Sequence, residues 1–389
     1  MTSAHNLVHN RVRGIFFLHG AGFSSWVPHI PMVQDRLGLG HADLGWALLA
    51  AAVGVLAVMP FAGRLTDHFG SDSIVRHTKW AYYPALAIPL FMNSLTTLSI
   101  AMFVMGFSAA CLDIAMNANG LNVERAKRKS LMSGLHGFWS LGGFAGAGFA
   151  ALWFALPLPM TLHLPVSVTL LLIVHCYLQN GLMRDPVHAQ NTETYGVKQK
   201  SIFLILLPFG ICAFIGQFGE GVITDWATVL MNSNLQSGPT LAAIGFALYS
   251  AAMAAARLSG DRVVDKIGRP AVLIVSSGLA SSGYLLLALA PNIIIAWIGC
   301  FIAGIGLAVI LPLLISAAAQ ATGKSGGSVV ATIAATGYSA LMAGPPFIGF
   351  IGEHYGLVTA FLMTSVFLGM IIPVYLLGMR KRFKIISNS

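Results

Sequence analysis

The stretches GRLTDHFGS, residues 63–71, and DRVVDKIGR, residues 261–269, decide the fold of this chain. Asp67 matches Asp265 and Gly70 matches Gly268, each at an offset of 198 residues. Both loops sit between two apolar runs, so one short polar link recurs at the same place in two halves. A helix crosses a bilayer with about 20 mostly apolar residues. Twelve runs qualify: 14–34, 43–64, 75–93, 96–119, 131–155, 162–182, 201–231, 240–259, 271–290, 293–318, 327–350 and 357–379. The longest polar link, RDPVHAQNTETYGVKQK at 184–200, separates six spans from six. The expected organisation is an N-terminal six-helix half (1–183), a central link (184–200) and a C-terminal six-helix half (201–389).

Composition agrees. The chain is 56% hydrophobic and 9% charged, whereas a soluble domain carries about 25% charged residues. Its net charge of +9 raises nucleic acid as a partner, but the distribution of charge favours another reading. With links alternating between two faces, 21 of the 22 Lys and Arg fall on the face that holds both termini, and only Arg36 falls on the other. That asymmetry is the signature of membrane orientation. It places both termini and the central link in the cytoplasm of a multi-pass inner-membrane protein, with the lipid bilayer as partner and no nucleic acid. Cys111, Cys176, Cys212 and Cys300 lie in separate apolar runs and behave as small buried hydrophobes. No clustered metal-ligand set, no H-E-x-x-H and no G-x-S-x-G occurs. Neither a metal, a cofactor nor an enzyme is expected, and twelve spans can operate as a monomer.

Of the 13 acids, three fall inside spans: Asp113, Glu220 and Asp225. An ionised acid at a helix centre costs on the order of 2.5–3.5 kcal/mol even on lenient scales, so each asks for a reason. A carboxyl that is neutral when dry and charged when wetted suits proton coupling. In span four, Asp113 and Asn117 share a face at i, i+4, and the alternative is a fastening hydrogen bond between helices. In span seven, GQFGEGVITDWATVL (216–230) puts Glu220 and Asp225 about 140° apart on a regular helix. Unwinding at Gly219 and Gly221 would change that angle, and Gln217 lies one turn before Gly221. No intramembrane Lys or Arg is expected to neutralise Glu220, because Arg257, at the end of the eighth run, is counted with the basic residues of the cytoplasmic face. Tyr249, Arg257, Asn292, Gln320, Tyr338 and Pro345–Pro346 are residues that could line a path. Glu220 is therefore expected to face a hydrated cavity. Span one sets His19, Phe23, Trp26 and Ile30 on one stripe. Span five sets His136 and Ser140 at i, i+4, with Trp139 adjacent. These histidines are either titrating groups or satisfied structural hydrogen-bonders. Gly142 and Gly146 form a G-x-x-x-G packing seam.

The repeated loop carries a separate expectation. Asp67 and Asp265 end helices where a carboxylate can accept N–H groups of a neighbouring helix N-terminus and pair with Arg64, Arg76, Arg262 or Lys266. Such contacts latch one conformation; the alternative is a solvated turn.

A G-x-x-x-D-x-x-G loop between spans two and three, repeated between spans eight and nine, resembles the major facilitator superfamily. The resemblance covers the whole chain. It implies an all-α membrane fold of twelve helices in two pseudo-symmetric halves, and secondary transport by alternating access. It makes Gly63, Arg64, Asp67, Gly70, Arg262, Asp265 and Gly268 the latch residues. The first copy departs from the family at His68 and Ser71, and Asp261 stands where the first copy has Gly63. Within the family, FLHGAGFSSWVPHIP (17–31) and LDIAMNANGLNVE (112–124) are similar to the fucose/glucose–proton symporter branch. That likeness places Asp113 and Asn117 on the branch's acid and Asn of span four. The branch's span-one acid falls on Val27 and its span-five Asn on Trp139, so the proton site is not carried over. EGxxxDW (220–226) is similar to a stretch in uncharacterised bacterial inner-membrane permeases. The expected function is proton-coupled transport of a small polar, sugar-like solute. The alternative, a drug or metabolite–proton antiporter, fits less well, because GGFAGAG in span five lacks the Gly-Pro kink of that group.

Overall fold

The computed structural model describes residues 2–127, 131–184, 199–321 and 327–380. Residues 185–198 of the central link lie outside them, as does the C-terminal tail from residue 381. The described chain is helical, with no strand among the described residues.

The first half holds spans one to six. Span one comprises α1 (Thr2–Trp26), a 3-10 turn (Val27–His29) and α2 (Ile30–Leu37). Spans two to five are α3 (His41–Phe69), α4 (Ser71–Ala87), α5 (Leu95–Lys127) and α6 (Met132–Phe154), and span six is α7 (His163–Leu178). The second half begins with α8 (Gln199–Leu235), α9 (Gly238–Ile267) and α10 (Arg269–Ala288). Span ten is split into α11 (Ile293–Leu307) and α12 (Ile310–Ala321). α13 (Gly327–Tyr355) follows, and span twelve is α14 (Leu357–Gly369) with α15 (Ile371–Val374). The outer surface is apolar, with side chains such as Val366, Ile173 and Ile100 more than half exposed. That suits lipid and not water.

Glycine seams hold the helices of each half together, because apolar helices in lipid gain little by hiding from it and associate through close contact. A Cβ on Gly142 would lie 2.0 Å from the Phe17 carbonyl oxygen, and one on Gly146 2.2 Å from that of Ala21. The expected seam is thus the contact of α6 with α1. The same device joins α3 to α5, where a Cβ on Gly106 would lie 2.0 Å from the Ala51 carbonyl oxygen, and α10 to α11, where Gly283 would meet the Ala303 nitrogen at 2.4 Å.

The repeated loops have one geometry. Gly70 joins α3 to α4 at φ 85°, ψ 142°, and Gly268 joins α9 to α10 at φ 80°, ψ 152°. Only glycine adopts such angles without strain. A third loop matches them. Gly356 joins α13 to α14 at φ 83°, ψ 152°, and the sequence before it, GFIGEHYG (349–356), repeats the G-x-x-x-acid-x-x-G spacing. This copy lies at the other end of the bundle, the far end from the termini. An inverted repeat of three-helix units accounts for it.

Span seven is not unwound: α8 runs unbroken through Gly219 and Gly221. The break is in span ten, at Ala308–Val309. Pro312 is the reason: it has no N–H, so the Ala308 carbonyl loses its helical donor.

Candidate functional site

Four helices, two from each half, enclose a cavity between the halves. Its wall is Phe23 and Ser24 of α1, Trp139 and Ser140 of α6, Glu220 and Thr224 of α8, and Phe246, Tyr249, Ser250 and Met253 of α9. The cavity measures ≈ 20 Å³, room for about one water. The Tyr249 hydroxyl is buried on this wall with no hydrogen-bond partner among the described residues. Thr224 and Ser140 donate back to the carbonyls of Glu220 and His136 in their own helices. Ser24 and Ser250 flank Gly143, whose missing side chain makes room for both hydroxyls.

Arg257 organises one end of this cavity. It lies inside α9, which continues to Ile267, and so belongs to the span and not to the basic link after it. Its Nη2 donates to Glu220 Oε1 at 3.1 Å and Oε2 at 3.3 Å. Its Nη1 donates to Ser140 Oγ in the other half at 2.9 Å. Its Nε donates to the Ala308 carbonyl at 3.3 Å, the acceptor that Pro312 strips. The Arg257 backbone carbonyl accepts from Ser133 Oγ, also across the halves, at 3.4 Å. The expectation of an uncompensated Glu220 is therefore corrected: the acid has a guanidinium partner. Both side chains are largely buried, 14% and 21% exposed, where a charge-assisted pair is stronger than at a surface. The sequence signal for this site is Pro312 together with Arg257 a turn inside the apolar run.

The other candidates separate. His136 lies one turn from Ser140, edge-on to Phe16 at 5.5 Å, and Arg257's charge reaches it. His19 is held on both sides. Trp139 Nε1 donates to its Nδ1 at 2.8 Å, so its Nε2 donates to the Ala109 carbonyl at 3.2 Å, and Tyr82 stacks on the ring at 4.8 Å. An indole N–H can only donate, which fixes the neutral Nε2–H tautomer and gives His19 the structural role. Asp113, half-buried in α5, makes no ion pair among the described residues, and Asn117 donates to its backbone carbonyl at 2.8 Å. Asp225 is half-buried on another face of α8 and also makes no ion pair among the described residues. Gln217 packs against Gly337 of α13, outside the cavity. Trp26 is buried among Ile30, Leu44 and Leu98 in the core of the first half, and Trp226 is buried against His41. Neither touches the cavity. At the termini end, Arg64, Asp67, Arg262 and Asp265 are exposed, and Arg76 pairs with Asp72 at 3.3 Å.

Comparison with known proteins gives one answer. The family model described as Major Facilitator Superfamily matches residues 14–210 and again 209–386. The chain is 32% identical over 348 residues to an uncharacterised MFS-type transporter of Yersinia pestis, covering 89% of each chain. Among solved structures it is similar to the nucleoside transporter NupG, with a TM-score of 0.71 at 14% identity over 97% of this chain and 99% of that one. It is also similar to the D-xylose–proton symporter, with a TM-score of 0.76 at 11% identity over 95% and 97%. At these identities the two structures show the fold alone.

Proposed function

We propose that this chain, which belongs to the Major Facilitator Superfamily, moves a small hydroxyl-bearing solute across the inner membrane by alternating access, driven by protons taken up at Glu220. Its termini face the cytoplasm, following the basic residues of its links. The observation that carries the reading is the Glu220–Arg257 pair on the wall of a cavity between the halves, with the same guanidinium bound to Ser140 of the opposite half. Arg257 holds the Glu220 carboxylate in place. Protonation cancels the charge that holds the pair, frees the guanidinium and loosens its hold across the halves, so the proton and the conformational change are linked through one side chain. The hydroxyls of Ser24, Tyr249 and Ser250 suit a solute with several hydroxyl groups, and Phe23, Trp139 and Phe246 form flat apolar walls for its carbon skeleton. Asp113, with no cationic partner among the described residues, is a second proton carrier, in the first half.

Uptake into proteoliposomes across a pH series tests this. Glu220→Gln is expected to lower proton-driven accumulation roughly tenfold or more, a change of about 1.4 kcal/mol in coupling, and to flatten its pH profile. Exchange without a gradient is expected to survive, because the amide mimics the protonated acid. An unaltered pH profile in this variant refutes Glu220 as the coupling acid.

A further inference from the structure

The cavity also points to a class of substrate, on the reading that it is the transport site. We propose that the solute carries a carboxylate and that Arg257 recognises it, with Glu220 occupying that place in the closed cavity. A guanidinium is matched in shape and charge to carboxylates, and both oxygens of the Glu220 carboxylate already sit on Arg257 Nη2. The protein's own acid thus shows what this position accepts. Beyond the pair the wall changes character, to the unpartnered Tyr249 hydroxyl and the hydroxyls of Ser24 and Ser250. A carboxylate at one end with hydroxyls along the chain fits that sequence of partners, as in a sugar acid or a small hydroxy acid.

The exchange balances. The solute's carboxylate takes Arg257, and the displaced Glu220 takes a proton from the water that entered with the solute. On the other side the solute leaves, Glu220 gives up the proton and returns to Arg257. One anion and one proton cross together, and the site always holds one guanidinium with one carboxylate. The groups that face Glu220 are Arg257 and Tyr249 of α9 and Tyr284 of α10; Asp225 lies on its own helix, and His136 of α6 lies beside Arg257.

Matched pairs of solutes test the proposal on the full chain in proteoliposomes: D-gluconate against D-glucitol, and D-lactate against propane-1,2-diol. The acids are expected to be taken up roughly a hundredfold better than the alcohols, since a site built around a polar group rejects analogues lacking it. Arg257→Gln, made together with Glu220→Gln to avoid leaving a lone buried charge, is expected to lose that preference. Alcohols moved as well as acids would overturn the carboxylate and leave proton coupling standing. Acids bound, by quenching of tryptophan fluorescence in the parent that is lost in a Trp139→Phe variant, but not accumulated under a pH gradient would keep the carboxylate and remove the coupling. Binding of neither series, or an acid preference that survives in the double variant, overturns the proposal.

A second observation stands on its own. Glu353, the acid of the third loop copy, belongs to the second half but caps the first turn of α3 in the first half. Its Oε2 accepts from the His41 N–H at 2.6 Å and the Ala42 N–H at 3.4 Å. A Cβ at position 40 would lie 2.7 Å from that oxygen, so Gly40 makes room for the cap. We infer that Glu353 is a far-end latch, holding the halves together there until the cavity opens to that side. Thiol labelling of Thr224→Cys, in a background lacking the four native cysteines, tests this from the far side. Glu353→Ala is expected to raise the labelling rate several-fold and Glu353→Asp to restore the slow rate in part. Equal rates in all three proteins overturn the inference.

Discussion

Arg257→Leu is expected to destabilise the protein by about 3 kcal/mol, toward the lower end of the range for breaking a buried ion pair, and to abolish transport. The variant leaves Glu220 charged in a largely buried place, and also strips the donors from Ser140 Oγ and the Ala308 carbonyl. The lower end applies because both side chains keep some exposure. The double variant Glu220→Gln with Arg257→Gln removes both charges. It is expected to recover most of the lost stability and none of the coupled transport. Thermal unfolding in detergent, read by tryptophan fluorescence, gives the first quantity and proteoliposome uptake the second. A single variant as stable as the parent would mean that water already satisfies Glu220 and that the pair is incidental.

Gly142→Leu is expected to prevent folding. Its Cβ would meet the Phe17 carbonyl oxygen at 2.0 Å, and that atom belongs to a helix backbone that cannot turn aside. α1 and α6 would have to part along their length, at a cost above the roughly 1–3 kcal/mol of ordinary overpacking. Gly148→Leu in the same helix is the control, because nothing lies within 4 Å of a Cβ there. Yield of monodisperse protein by size exclusion compares the two. Equal yields would remove the backbone seam as the basis of this contact.

Much of the fold is legible in the sequence because lipid imposes a crude rule. Every span must be apolar for about 20 residues, and the duplicated loops mark the halves. The site is less legible. Arg257 lies near the end of an apolar run and close to Arg262, so composition alone groups it with the basic link. The eighth run, 240–259, does include it, but only the continuation of α9 to Ile267 shows that the helix carries it inward beside Glu220. Gly219 and Gly221 permit a break in span seven that does not occur, whereas the break in span ten falls at Ala308–Val309, where Pro312 leaves the Ala308 carbonyl without its helical donor. The third loop copy escapes notice because Glu353 replaces the aspartate and no Lys or Arg lies beside it. His19 and Trp26 look alike on a helical stripe, and only tertiary contacts separate a ring held by two hydrogen bonds from one packed in a core.

The contact of α3 with α13 has a mechanical consequence. At the far end the two helices touch through backbone, where a Cβ on Gly45 would lie 2.7 Å from the Pro345 carbonyl oxygen and one on Gly349 2.6 Å from that of His41, with Glu353 bound across them. That point is a fulcrum. Measured from that point to the opposite tip, α3 from Gly45 to Phe69 forms a lever arm of about 36 Å and α13 from Pro345 to Gly327 one of about 27 Å. Under the alternating access proposed above, a tilt of about 10° about the fulcrum would swing the opposite tips by about 5–6 Å while the pivot itself hardly moves.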